Sequence, residues 1–224
     1  DSWTRMIDLF IPVSDMVFWN SQKELLQKIF RFLTGDIWEL WFRDRSDPNF
    51  ELSPKGKYKR YGMHYQTDTV CLFSGGMDSF IGAVDLLEQG IRPLLVGHSK
   101  SSDVTPYQEN CYTALANHYQ DRIPEKIYAF VRIPKNDLFG SEDHTERGRS
   151  FLFITLGGIC AATLQSKSKL VVPENGMISL NIPLTALRVG SHSTRTTHPH
   201  YFEMMQALFN NMQSGVVIHN PYQF

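Results

Sequence analysis

The sequence predicts an α/β fold, in which a parallel doubly wound sheet follows a small N-terminal α/β appendage. Its 224 residues suit one principal core with an additional small unit. Hydrophobic residues make up 42% of the chain and charged residues 20%, as in ordinary globular proteins. From Thr69 onward, short apolar runs alternate with segments of helical periodicity. This alternation is typical of βαβ units, whose right-handed crossovers build a parallel sheet.

The first 65 residues are predicted to form the appendage, and its elements follow from local signals. An apolar strand ends at Pro12, and a helix begins near Ser21, with Glu24 three residues later as in a capping box. Gly35 ends that helix. The strands are expected at residues 6–11 and 36–44, and the Pro-, Gly- and base-containing stretch 45–65 is expected to be a hairpin or linker.

Residues 66–224 are predicted to form the main domain, a Rossmann-like doubly wound sheet. Apolar runs predict its strands, and amphipathic spacing predicts the helices between them. The strands are expected at residues 70–73, 92–97, 126–133, 169–172 and 216–219, and the helices at 78–88, 107–119, 150–166 and 201–212. Because the chain begins at Asp1 without Met and stops just after a strand-like run, we expect it to be part of a longer polypeptide.

Charge and cysteine content exclude several classes of protein. The 22 Lys and Arg residues balance 23 Asp and Glu residues, so no global basic surface is expected for nucleic acid. No apolar run approaches the length of about 20 residues that spans a bilayer. The three cysteines, Cys71, Cys111 and Cys160, are widely spaced, which argues against a zinc site among them and for a reducing, cytoplasmic location.

The segment Ser74-Gly75-Gly76-Met77-Asp78-Ser79 carries the strongest functional signal. It follows the apolar strand that ends at Phe73 and opens a helix, where backbone amides and the helix dipole favour an anion. Two glycines allow positive φ and close approach of a phosphate, and the serines add hydroxyl donors. On this view Gly76→Val removes the activity of the loop while leaving the fold, because valine is disfavoured at positive φ and would also block the close approach of a phosphate. Asp78 caps the helix or holds Mg²⁺.

These six residues resemble the SGGxDS signature of the PP-loop ATP pyrophosphatases. The resemblance implies that ATP and Mg²⁺ bind at the loop, with Phe73 to Ser79 around the phosphates and Asp78 on the metal. It also implies cleavage of ATP between the α- and β-phosphates after a substrate oxygen attacks the α-phosphorus. A second nucleophile would then displace AMP from the adenylated intermediate.

The downstream sequence resembles the QueC group of this family, the 7-cyano-7-deazaguanine synthases. The resemblance rests on Arg147 to Phe153, on Glu174-Asn175-Gly176, and on Thr197 to Phe202. Ser150 stands where QueC has Asn, and the three cysteines do not supply its four-cysteine zinc cluster. The whole chain is similar to the QueC-like QatC group of the Qat antiphage systems. This likeness implies a 7-deazapurine-type carboxylic acid as substrate and a protein partner from the same defence system.

Several further side chains are predicted to belong to the site. Gly97, His98 and Ser99 stand at the end of the second strand of the sheet, where backbone groups of the family read the adenine edge; a surface-loop histidine is the alternative for His98. Arg149 suits a substrate carboxylate or a phosphate. Glu174 suits the N–H groups of a purine-like base, and a helix-capping or ion-paired glutamate is the alternative.

The polar stretch 188–197 is predicted to be a second anion clamp. It contains five hydroxyl side chains and two arginines, and Arg195 is the candidate for neutralising phosphate charge. His198, which follows it, is a candidate acid or base near the adenylate. A solvated connecting loop is the alternative explanation of this composition.

Three functional hypotheses stay open at this stage. The first is an ATP-dependent ligase that joins a deazaguanine-type acid to a nitrogen nucleophile, either ammonia or a protein N-terminus. The second is a catalytically degenerate nucleotide-binding scaffold in a defence complex, favoured by the missing cysteines and by Ser150. The third is tRNA thiolation or lysidine-type modification, which the lack of a CxxC pair and of a basic face disfavours.

Overall fold

The computed structural model describes residues 4–46, 65–99, 105–131, 148–164, 166–175 and 195–223. The chain divides into two compact units, Asp1–His64 and Tyr65–Phe224. This division falls within one residue of the boundary between the two predicted segments, 1–65 and 66–224. Most of the predicted linker 45–65 lies outside the described residues.

The first unit contains two parallel strands joined by a helix. The elements are β1 (Met6–Val13), α1 (Met16–Thr34) and β2 (Ile37–Asp44). Strands β1 and β2 pair in parallel along their whole lengths, from Met6 opposite Ile37 to Val13 opposite Asp44. The buried helix residues Leu26, Ile29 and Leu33 form an apolar face at helical spacing. The unit is therefore a βαβ arrangement.

Pro12 does not end the first strand, contrary to the sequence prediction. The carbonyl oxygens of Arg5 and Val13 accept hydrogen bonds from the backbone N–H groups of Ile37 and Arg45. Backbone groups of successive strand residues point to opposite edges, so position 12 turns its nitrogen away from β2. A proline that faces away from β2 removes no hydrogen bond from the ladder between β1 and β2.

Helix α1 begins earlier than predicted, because Asp15 and not Ser21 is its N-cap. The Asp15 carboxylate accepts a hydrogen bond of 2.9 Å from the backbone N–H of Phe18. Ser21 lies inside the helix and donates its hydroxyl to the Phe18 carbonyl at 2.6 Å. The predicted end of the helix is confirmed, since Gly35 adopts a left-handed conformation with φ 79° as the C-cap.

An ion pair between buried Asp36 and half-exposed Arg5 fixes the start of the first unit. Asp36 is 1% exposed and accepts hydrogen bonds from the Arg5 backbone at 3.1 Å and from its guanidinium at 2.6 Å. The hydrogen bond from the Arg5 side chain is the main reason that the pKa of Asp36 is lowered. Because the pKa of Asp36 is lowered, the pair stabilises the fold at pH values above the ordinary pKa of an aspartate. That contribution is lost as the pH falls through the lowered pKa.

We expect Asp36→Ala to destabilise the first unit by about 1–2 kcal/mol, because the Arg5 backbone N–H loses its acceptor, whereas the half-exposed guanidinium can turn to water. All four tryptophans of the chain lie in residues 1–41, so tryptophan fluorescence during urea unfolding reports this unit alone. Asp44→Ala, at the exposed end of β2, is the control and should change the midpoint little. Equal midpoints for the two variants would contradict this role of the pair.

The second unit contains a five-stranded parallel sheet flanked by helices, which confirms the predicted α/β class. In chain order its elements are β3 (Thr69–Leu72), α2 (Met77–Glu88), β4 (Leu94–His98), α3 (Thr105–His118), β5 (Glu125–Ala129), α4 (Arg149–Ala162), β6 (Ser168–Val171), a 3₁₀ turn (Arg195–Thr197), α5 (Pro199–Asn211) and β7 (Val216–His219). The strand order is β5-β4-β3-β6-β7, and every neighbouring pair is parallel. Counted within this unit, the order is 3-2-1-4-5, which is compatible with a Rossmann-like sheet.

Helices cover both faces of this sheet. Cys71 of β3 and Val171 of β6 belong to one buried cluster with Ala83, Leu86 and Leu87 of α2 and Leu115 of α3. The opposite face meets α4. A Cβ at Gly157 would lie 2.7 Å from side-chain atoms of both Leu72 and Leu170, so this helix approaches the sheet closely. Neighbouring strand residues thus face opposite layers.

The described part of the chain contains no helix that is both long and apolar enough to cross a membrane.

Candidate functional site

A cleft lies within the second unit, where the carboxyl ends of β3, β4 and β6 meet. Strands β3 and β6 are neighbours, but the chain leaves β3 toward β4 on the other side. Such a reversal of strand order opens a crevice in which α/β proteins bind ligands. Most of the predicted site residues line the cleft: Phe73, Ser74, Gly76, Met77, Asp78, Ser79, Gly97, His98, Arg149 and Glu174.

The loop between β3 and α2 is a tight turn held by its own serines. The Ser79 hydroxyl donates to the Gly76 carbonyl at 2.8 Å and accepts from the Ser74 backbone N–H at 3.2 Å. The Ser74 hydroxyl accepts from the Gly76 backbone N–H at 3.3 Å. Short serine side chains therefore fix the backbone of the loop.

The start of α2 offers backbone donors to the cleft. Gly76 is the N-cap and has no side chain to occupy the end of the helix. The first intrahelical bond runs from the Phe80 N–H to the Gly76 carbonyl at 3.0 Å. The N–H groups of Met77, Asp78 and Ser79 precede it and have no acceptor within the helix. Such a helix start favours an anion such as phosphate.

Gly75, and not Gly76, is the glycine that requires positive φ. Gly75 has φ 79°, whereas Gly76 has φ −81° and ψ 166°, which any residue adopts. A Cβ at Gly75 would also lie 2.9 Å from the backbone N and Cα of Gln108. The prediction of positive φ at Gly76 is therefore wrong, and Gly75 is the residue whose backbone disfavours a side chain.

Two carboxylates, Asp78 and Glu174, line the same cleft. Burial raises the pKa of Glu174, and the negative charge of Asp78 raises it further. Oxygen ligands of this kind suit Mg²⁺, which usually takes one or two carboxylates together with phosphate oxygens and water. Asp78 with Glu174 therefore fits a magnesium ion bound with a phosphate ligand. Within the described residues there is no cluster of three or more His, Cys, Asp or Glu side chains.

The raised pKa of Glu174 has a consequence for stability that can be measured. A carboxyl whose pKa is higher in the folded state makes folding less favourable once it ionises, so the free energy of unfolding falls as the pH rises through 4.5 toward the raised pKa. We expect Glu174→Gln to raise the melting temperature at pH 7 in metal-free buffer and to flatten its dependence on pH. Glu203→Gln, at an exposed glutamate, is the control. A lower melting temperature for Glu174→Gln at pH 7 would refute the expectation.

The end of β4 approaches the end of β3 unusually closely. A Cβ at Gly97 would lie 2.6 Å from the Phe73 carbonyl oxygen, so this position accepts no larger residue without movement of the backbone. The next residue, His98, donates its Nε2–H to the Val131 carbonyl at 2.9 Å. The following residue, Ser99, donates its backbone N–H to the Ala129 carbonyl at 2.9 Å and does not line the cleft.

Aromatic and cationic groups form the wall of the cleft beside His98. The His98 ring lies 5.7 Å from the ring of Phe153 on α4, measured between centroids. The guanidinium of Arg149, one helical turn earlier, lies 5.2 Å from the centre of the same Phe153 ring. All three side chains line the cleft. Arg149 thus brings a positive charge to the cleft that contains Asp78 and Glu174.

Some of the predicted site residues do not line the cleft, and others lie outside the described residues. Arg195 is in the 3₁₀ turn before α5, and neither it nor His198 or Asn175 is among the described cleft residues. The His198 Nδ1 accepts a hydrogen bond of 3.1 Å from the His200 backbone N–H, so its imidazole caps α5. The predicted residues Arg147 and Gly176 and most of the stretch 188–197 are outside the described residues.

Two cleft residues with aromatic or polar side chains, Phe153 and Gln108, were not among the site residues predicted from the sequence. Phe153 stands four positions after Arg149, a spacing that places both side chains on one helix face. This spacing could have predicted Phe153 as a neighbour of Arg149 in the site. Gln108 on α3 is fully buried beneath the loop. No sequence pattern indicated Gln108, because its position depends on how closely α3 approaches the ends of β3 and β4.

Fold and cleft together define an α/β protein with a crevice at the reversal of its strand order, lined by both apolar and polar residues. No family model, curated protein or solved structure matches the chain. We therefore infer a function from the geometry of the cleft and from the resemblance of its motifs.

Proposed function

We propose that this chain binds ATP in the cleft and is an ATP-dependent ligase of the PP-loop type. The observation that carries the proposal is the Ser74–Ser79 turn, which presents the uncapped start of α2 at the reversal of strand order. Backbone N–H groups at such a helix start bind phosphate without the lysine of other nucleotide loops. The likeness of this turn to SGGxDS supports ATP as the phosphate compound.

The proposed reaction has two steps. A carboxylate oxygen of a deazaguanine-type acid attacks the α-phosphorus of ATP, and the bond to the bridging oxygen breaks with loss of pyrophosphate. An amine nitrogen then attacks the acyl carbon of the adenylate, loses a proton and releases AMP. The loop would hold the departing phosphates, and Asp78 with Glu174 would hold Mg²⁺, which neutralises phosphate charge. Arg149 would stabilise charge on the reacting groups.

The biological setting is proposed from the resemblance to QueC-like proteins of antiphage systems. A cytoplasmic defence enzyme of this kind would take ammonia or the N-terminus of a partner protein as its nitrogen nucleophile. The mass of the N-terminal peptide of a co-purified protein would identify that acceptor, because transfer adds one deazapurine acyl group.

Product analysis tests the reaction directly. The chain is incubated with Mg²⁺, ATP labelled at the α-phosphorus and 7-carboxy-7-deazaguanine, with ammonium as the acceptor. We expect labelled AMP, with pyrophosphate in equal amount, and no product when the acid is omitted. Formation of ADP and phosphate instead would overturn the assignment.

A nucleotide-binding scaffold without turnover is the second candidate. Ser150, which stands where QueC has Asn, has a buried hydroxyl and does not line the cleft. That placement favours a site that has lost a substrate contact. ATP binding by calorimetry, with no AMP formed from ammonium or from a co-purified protein, would select the scaffold.

A further inference from the structure

The side chain of Gln108 connects the ends of two strands at the base of the cleft. Gln108 is fully buried, and its amide nitrogen donates to the carbonyl oxygens of Phe73 at 3.2 Å and His98 at 3.4 Å. Carbonyl oxygens only accept hydrogen bonds, so the two partners identify the nitrogen end of the carboxamide. The remaining atom, Oε1, is therefore an acceptor.

This oxygen has no hydrogen-bond donor among the described residues, although it is buried. The same holds for Nδ1 of His98. Because His98 uses its Nε2–H toward the Val131 carbonyl, Nδ1 of the neutral ring is also an acceptor. Both residues line the cleft. Buried acceptors without donors are rare in folded proteins, and each one calls for a partner.

Gln206 of α5 shows the contrast within the same unit. Its amide nitrogen donates to the Val216 carbonyl at 2.8 Å, and its oxygen accepts from the Ile218 backbone N–H at 2.7 Å. Both ends of Gln206 are therefore used between a helix and a strand. Gln108, in contrast, makes hydrogen bonds to the protein only through its amide nitrogen among the described residues.

We propose that Gln108 Oε1, with His98 Nδ1, selects a ligand that carries an amino group, and so a 6-aminopurine over a 6-oxopurine. The inference rests on the proposed binding of a nucleotide in the cleft and names a residue that reads its base. An exocyclic amino group supplies two N–H donors, whereas a 6-oxo group would set a third acceptor against the two already present. The Phe153 ring beside His98 provides a flat surface for such a heterocycle.

Calorimetric titration of the whole chain with three nucleoside triphosphates tests this inference. The probes are ATP, inosine triphosphate with its 6-oxo group, and purine riboside triphosphate with hydrogen at position 6. We expect purine riboside triphosphate to bind about tenfold more weakly than ATP, the effect of one lost hydrogen bond, and inosine triphosphate more weakly still. Equal affinities would overturn the role of Gln108 while leaving nucleotide binding intact. Binding of none of the three would overturn the proposed function, and this inference with it.

A variant assigns the effect to the side chain. Gln108→Met keeps the length of the residue and removes its hydrogen bonds, so it should reduce the preference for ATP to about twofold or less. Gln206→Met is the matched control, and it should keep the full preference despite any loss of stability. A full preference in a folded Gln108→Met would refute the inference, and the wild-type nucleotide series remains decisive if that variant does not fold.

Discussion

Gly75→Val is expected to abolish ATP binding and to destabilise the second unit by about 2–4 kcal/mol. A branched residue at φ 79° incurs the steric penalty of the left-handed region. Its Cβ would also lie 2.9 Å from the backbone N and Cα of Gln108, which belong to a helix and cannot move aside cheaply. The loop would therefore leave the conformation that presents the start of α2. Thermal unfolding and titration with ATP measure the two effects.

Gly76→Ala is the matched control for this prediction. Gly76 has ordinary backbone angles, and the nearest atom to its added Cβ is the Ser74 hydroxyl oxygen at 3.4 Å. We expect stability close to that of the original protein, and any loss of ATP affinity then reflects the approach of the phosphate alone. Similar melting temperatures for Gly75→Val and Gly76→Ala would show that the left-handed turn does not constrain the loop.

Arg149→Ala is expected to weaken ATP binding by roughly ten- to a hundredfold, the range for losing one hydrogen bond to a charged group. Arg149 is the first residue of α4 and lines the cleft that also contains the phosphate loop. Arg149→Lys should recover part of the loss, because lysine keeps the charge but not the planar fork of donors. Titration of each variant with Mg²⁺ and ATP gives the comparison.

Arg195→Ala decides between the two arginines proposed for phosphate. The polar composition of stretch 188–197 suggested Arg195, but the structure places it in the turn before α5, outside the described cleft lining. We therefore expect its replacement to change ATP affinity less than twofold. A larger loss for Arg195→Ala than for Arg149→Ala would restore the clamp predicted from the sequence.

The order and type of the main elements could be predicted because each depends on short-range signals. Apolar runs of four or five residues and a helical periodicity identify β3, α2 and α5 without knowledge of their neighbours. The strand order could not be derived from the sequence. It depends on the side of β3 at which each later strand is added to the sheet, and short-range signals do not determine that side. Asp15 was missed as a cap because Ser21 with Glu24 matches the capping box, whereas Asp15 is followed three residues later by Phe18.

The candidate site was predictable only where its residues are consecutive. Ser74 to Ser79 form one motif, so the sequence was sufficient to identify the loop. Which glycine takes positive φ was not predictable, because the closeness of Gln108 to Gly75 is a contact between elements 33 positions apart. The buried acceptors of His98 and Gln108 are likewise a property of packing, since either residue type is ordinary on a polar surface.

The central claim is that the turn after β3 is a phosphate site at the start of α2. The most direct measurement is a crystal structure of the chain with Mg²⁺ and α,β-methylene-ATP, which resists cleavage between the α- and β-phosphates. We predict phosphate oxygens within hydrogen-bond distance of the backbone N–H groups of Met77, Asp78 and Ser79, and Mg²⁺ at the Asp78 carboxylate. An analogue bound away from the loop, or no bound analogue at saturating concentration, would contradict the account.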